Sequence, residues 1–177
     1  MSADAVQSTR RWLEQVVIGH NLCPFAAREL EAERVHLVTC EEREPEALLR
    51  ALATQVQALL EDAAVETTLV IFPNALGDFD DYLDFLALAQ LWLDDSGLDA
   101  DFQFASFHPD YCFEGCGPED ASNYTNRSPL PVIHILREDS VEKAIASHPD
   151  PAMIPRRNIA LAQERGCAYW QRLLDGL

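Results

Sequence analysis

Thr67 to Phe72, TTLVIF, is an unbroken run of strand length with no charged or amide side chain to face water. A strand of that kind has to be covered on both faces, the situation of strands in a parallel sheet flanked by helices. The flanking segments supply such cover. Pro45 can open a helix whose Leu48, Leu49, Leu52, Val56 and Leu59 lie along one side. Pro73 ends the strand, Asp78 can cap the next helix, and that helix extends to about Asp95 with Gly97 as its stop.

The rest of the chain fits the same alternation. Residues 5–18 carry Trp12, Leu13, Val16 and Val17 at helical spacing, with Gly19 able to supply a left-handed terminus, and Pro24 is placed to open a short second helix. Residues 34–40, RVHLVTC, alternate as a strand. Asp101 to Phe107 and Val132 to Leu136 read as the third and fourth strands. Residues 138–147 read as a helix stopped by His148-Pro149-Asp150-Pro151, and a last helix extends from about Arg156 to Leu174. This order predicts a single α/β domain over residues 1–177: a mostly parallel four-stranded sheet covered by helices, with a long loop between the third and fourth strands. No crossover helix precedes the fourth strand, so an antiparallel run beside the third is open to it. A chain of 177 residues without repeat or linker suits one full-sized core.

Charge is unevenly placed. Residues 1–119 hold 23 acids against 6 arginines, whereas residues 120–177 hold 7 acids against 7 cations, and no Lys or Arg occurs between Arg50 and Arg127. Such a surface repels phosphodiester backbones, which excludes nucleic acid as a partner, and anionic membranes with it. No apolar run reaches the roughly 18 residues of a membrane span. MSADAVQSTRRWLEQ lacks the apolar core of a signal peptide, so the cytoplasm is the expected location and the five Cys are expected as thiols or ligands. The helix over 79–93 is apolar around most of its girth, which calls for deep burial or for cover by a second copy in a homodimer.

The chemistry gathers in a few places. Cys23, set before Pro24, would be the N-cap of the short helix, where exposed amides stabilise a thiolate. His108 follows the third strand and Asn74 the second, the end of an open α/β sheet where ligands collect. The loop then presents Tyr111, Asn126, Arg127 and Ser128, whose amide, hydroxyl and guanidinium groups can either bind an anion or bond their own backbone. His134 lies inside VIHIL on the opposite face from Ile133 and Ile135; if it faces the site, it is a general base suited to neutral pH. Arg137, Arg157 and Asn158 can complete a polar pocket. His20, Cys23, His108, Cys112 and Cys116 are ligand types that zinc favours, although their spacing is not that of a dedicated zinc site. No P-loop, G-x-G-x-x-G, G-x-S-x-G or H-E-x-x-H motif names a reaction or a cofactor.

Three separated segments, NLCPFA (21–26), FHPDYCF (107–113) and NYTNRSPLPVIHILRE (123–138), resemble in this order the DUF1415 family of bacterial proteins of unknown function. The resemblance covers nearly the whole chain. It implies a soluble single-domain protein of about this length and no particular activity. By that resemblance the signature positions are Cys23, Pro24, Phe25, His108, Pro109, Tyr111, Asn126, Arg127, Ser128, Pro129, His134 and Arg137. Cys112 and Cys116 are not among them, which weakens the zinc reading.

The leading expectation is one pocket that gathers Cys23, His108, Tyr111, Asn126, Arg127 and His134 around a small anionic ligand, with Arg127 and Arg137 as counter-ions. In it Cys23 is nucleophile or redox thiol, and His108 or His134 is the base that activates it. The rivals are a non-catalytic binding or assembly module whose loop is locked on itself, and a zinc-binding domain. A locked loop would have its Arg and Asn bonded internally.

Overall fold

The structure, a computed structural model, describes residues 2–177. Helix α1 (Ser2–Trp12) continues without a break as a π-helical segment, Leu13–Ile18, and α2 (Ala26–Glu31) follows. Then come β1 (Val35–Thr39), α3 (Pro45–Glu61), β2 (Thr67–Ile71), α4 (Phe79–Asp95) and β3 (Phe102–Phe107). Residues 108–131, which include a 3₁₀ turn at Ala121–Thr125, lead to β4 (Val132–Arg137). Helices α5 (Glu138–Ser147), α6 (Met153–Arg165) and α7 (Cys167–Asp175) close the chain.

The four strands form one sheet in the order β1-β2-β4-β3. β1 and β2 are parallel, while β4 is antiparallel to both of its neighbours, β2 and β3. The sheet is therefore mixed, not mostly parallel. The three strands joined by helical crossovers do share one direction. The difference lies in β4, which inserts between β2 and β3 instead of adding at an edge.

β2 is buried along its whole length, as an apolar run requires. Leu69 and Ile71 pack with Trp12, Val16, Val17, Ala162 and Trp170 on one face of the sheet. Val70 and Phe72 pack on the other with Leu48, Leu52 and Val56 of α3 and Tyr82, Phe85 and Ala89 of α4. Each such side chain, moved from water into a core, contributes about 1.5–3 kcal/mol before entropic costs. Tyr82 also closes the seam between β3 and β4: its hydroxyl donates to the Val132 carbonyl at 2.8 Å and accepts from the Phe107 amide at 3.1 Å. Burial pushes that phenol's pKa well above the ordinary value.

Local signals explain most boundaries. Asp78 accepts hydrogen bonds from the amides of Asp80 and Asp81 and so caps α4, which ends before Gly97 at φ 67°. Along α4 only Tyr82, Phe85, Ala89 and Leu93 are buried, and Leu83, Leu88 and Leu91 stay exposed. Three expectations need correction. Gly19 is right-handed at φ −58°, and its lack of a side chain serves close packing, because a Cβ there would collide with the Gln15 carbonyl oxygen of the π segment. The last helix is two helices, since Gly166 at φ 75° and ψ 159° turns the chain between α6 and α7. Pro24 does not start α2: Phe25 is the N-cap, and the Ala26 amide bonds only the Cys23 carbonyl in a preceding turn. Cys23 therefore loses the helix-terminus argument for a stabilised thiolate. Among the described residues no helix is long and apolar enough to cross a membrane.

Candidate functional site

Residues 108–128 are held by their own side chains. Asn123, fully buried, donates to the Gly117 carbonyl at 2.9 Å and accepts from the Phe113 amide at 3.0 Å. Arg127 donates to the carbonyls of Tyr111 and Pro118 at 3.2 and 2.9 Å and lies over the Tyr124 ring at 4.4 Å. Asn126 reaches the Ser106 carbonyl, and the Ser128 hydroxyl reaches that of Leu130. Tyr111 accepts from the Ser106 hydroxyl at 3.3 Å and packs its ring at a tilt against Phe79 and edge-on to Phe113. The polar run of the loop is thus spent on closing the loop.

His108 is buried against Phe79 and Tyr82, with Nε2 donating to the Leu76 carbonyl and Nδ1 accepting from the Asp110 amide. Both ring nitrogens are occupied, and burial holds its pKa below the ordinary value. The expected single pocket around Cys23, His108, Tyr111, Asn126, Arg127 and His134 is therefore not assembled. No group of three or more His, Cys, Asp or Glu among the described residues could hold a metal ion. His20, one of the zinc-type residues, bonds the Tyr169 hydroxyl and the Gln15 carbonyl instead.

Three of the expected residues do meet. Cys23, His134 and Arg137 line one cavity of about 290 Å³. Its floor is the sheet, through Val35, Thr67, Leu69, His134 and Leu136, and one wall is Leu13 and Ile18 of the π segment. Cys23, Phe25, Ala26 and Leu30 form a second wall, and Val141, Ala144 and Ile145 of α5 form the roof. A π-helical turn is rare and tends to mark functional sites, which fits its place in this wall. At the edge, Arg34 bridges Glu29 and Glu66 at 3.0 and 2.5 Å. The cavity sits at the amino ends of β1 and β2, not beyond the carboxyl ends where Asn74 and His108 lie. The rule for parallel sheets does not carry over because β4 runs the other way through the middle.

His134 is the polar centre of this apolar space. The Thr67 hydroxyl donates its one proton to the Ile135 carbonyl at 2.6 Å, so toward His134 Nε2, 2.5 Å away, it can only accept. That fixes the proton on Nε2 and leaves Nδ1 a bare acceptor with no hydrogen-bond partner among the described residues. Burial lowers the His134 pKa to about 4, so the ring is neutral at pH 7. An unfolded His titrates near 6.5 and binds the proton first. Stability is then fully present above pH 6.5 and is lost as the pH falls toward 4. Between pH 7 and pH 5 the wild type is expected to lose about 1–2 kcal/mol more than His134→Gln in urea unfolding. Equal losses in the two proteins would refute the neutral ring.

Arg137 and the expected ligands outside the cavity are structural in their contacts. Asn158 donates to the Leu22 carbonyl at 2.7 Å, and Arg157 bonds the Asn21 carbonyl, so together they hold the segment that carries Cys23. Asn74 donates to Glu41 at 2.6 Å. Arg137 gives one nitrogen to the carbonyls of Leu59, Asp62 and Val65, which secures the C-terminal end of α3. Thr67, the π segment and the α5 face were not legible as site elements, although Val141, Ala144 and Ile145 stand at helical spacing.

Fold and site together define a mixed-sheet α/β protein with an apolar cavity roofed by one helix. The family model described as Protein of unknown function (DUF1415) matches residues 4–172, and the chain belongs to that family. No curated protein and no solved structure matches it.

Proposed function

We propose that the chain binds a small, largely apolar molecule in the cavity between the sheet and α5, and that the molecule presents one hydrogen-bond donor to His134 Nδ1. The observation that carries this reading is a largely apolar lining in which His134 supplies a neutral acceptor, while the Glu29 and Glu66 carboxylates at the edge are engaged by Arg34. About 290 Å³ falls just below the roughly 300–1,000 Å³ usual for small-molecule sites, so the ligand is small. The sequence suggested an anion held by Arg127 and Arg137. Both guanidiniums are engaged by backbone carbonyls, Glu29 and Glu66 flank the cavity, and His134 is uncharged, which together favour a neutral molecule.

Cys23 shares the cavity, so a catalytic form of the same reading has Cys23 as nucleophile and His134 as its base. A donor left unpaired in an apolar site costs about 1–3 kcal/mol, and a formed bond contributes about 1. Calorimetric titration is therefore expected to find 4-ethylphenol about tenfold tighter than 4-ethylanisole, a preference abolished in His134→Leu. Bound phenol should also slow alkylation of Cys23 by N-ethylmaleimide. Equal affinities would sink the donor reading, and no binding by either compound would sink the pocket. If His134→Gln leaves the Cys23 alkylation rate of the free protein unchanged, the catalytic form fails and the binding form stands.

A further inference from the structure

Helix α5 has no buried side chain, yet one side of it is apolar. Val141, Ala144 and Ile145 stand at positions i, i+3 and i+4 and all line the cavity. The corresponding face of α3 is packed: Leu48, Leu52, Val56 and Leu59 are at most 1% exposed. Ile145 is 48% exposed, because its side of α5 meets open volume where a core would be. An amphipathic helix gains most of its stability from packing such a face.

The two ends of α5 are held differently. At its start, Arg137 is anchored to three carbonyls at and just past the C-terminal end of α3, and the Glu138 amide bonds the Asp101 carbonyl at 2.9 Å. At its end the chain enters His148-Pro149-Asp150-Pro151, where two prolines forbid continuation of the helix. The ring contact there is light: His148 stands edge-on to Phe25, itself a wall residue, at 6.1 Å.

We propose that α5 is a hinged lid, fixed at Arg137 and Glu138 and latched by His148 on Phe25, that opens to admit the ligand and closes when the ligand covers its apolar face. This rests on the cavity as a binding site. Ligand and lid then complete one small core that neither forms alone. The face made by Val141, Ala144 and Ile145 selects the apolar part of the ligand, while His134 selects its donor.

Amide hydrogen exchange of the full chain tests the lid. In the free protein the α5 amides are expected to exchange at least about 100-fold faster than those of β4 and α3. Saturating 4-ethylphenol should slow α5 about tenfold or more and leave α3 unchanged. Protection of α5 equal to that of α3 in the free protein overturns the hinge. Calorimetric binding of 4-ethylphenol with unchanged α5 exchange overturns ligand-linked closure while leaving the cavity reading intact. If no binding occurs, both that reading and the closure step fail. Ile145→Asp serves as a second variant, since Ile145 is half-exposed. It should weaken 4-ethylphenol at least tenfold with the free protein's urea midpoint unchanged, and unaltered affinity would overturn the role of this face.

Discussion

Replacing Trp12 with alanine is expected to lower the free energy of unfolding by about 3–5 kcal/mol. Trp12 is 1% exposed, lies edge-on to Phe107 at 5.0 Å, and donates from Nε1 to the Arg127 carbonyl at 3.0 Å. One side chain thus joins α1 to the end of β3 and to the loop. Truncation opens a cavity that this close-packed region cannot refill, and it leaves the Arg127 carbonyl without its partner. Urea unfolding followed by far-UV circular dichroism measures the loss. Trp12→Phe should recover most of it, falling short by about 1 kcal/mol for the missing hydrogen bond. A loss below 1 kcal/mol for the alanine variant would mean that the N-terminal helix is not part of the cooperative core.

Asn123→Ala should cost about 2–4 kcal/mol although it removes only a small side chain. The Phe113 amide and the Gly117 carbonyl, both bonded by the fully buried Asn123 side chain, would lose that partner. The variant should also speed alkylation of Cys112, whose sulfur lies 3.8 Å from the Asn123 amide nitrogen. Affinity for 4-ethylphenol should stay within twofold of the wild type, because Asn123 lies outside the cavity. A variant that loses affinity while keeping its stability would return the loop to the binding site and remove the self-locked account.

Much of the fold could be read from local patterns because local physics decides it. The cap at Asp78, the proline at the start of α3, the span of α5 and the burial of β2 each depend on a few neighbouring residues. The place of β4 depends on which strand edges remain free after two crossovers, and no residue within VIHILR encodes that choice. The candidate site divides in the same way. His134 was legible from strand alternation, which put it opposite Ile133 and Ile135, on the face that carries Leu69. Which face held a cavity was not legible. Arg127 and Asn126 drew attention by their chemistry, but a guanidinium that binds a ligand and one that ties a loop have the same sequence. The apolar lining drew none, since Val141, Ala144 and Ile145 look like any helix face until the space beneath them is seen.

The central place of β4 also orders events during synthesis. β1 and β2 can pair as soon as residue 71 has left the ribosome, but β3 pairs only with β4. Until residues 132–137 emerge, β3 and one edge of β2 present unpaired backbone groups, the kind of surface that invites mispairing with other chains. The last-made strand is the keystone of the sheet, and its pairings span 25 to 67 residues of chain. Contacts of that range slow folding, so the acidic, mutually repelling first two-thirds of the chain has a use before the fold exists: it keeps waiting chains apart.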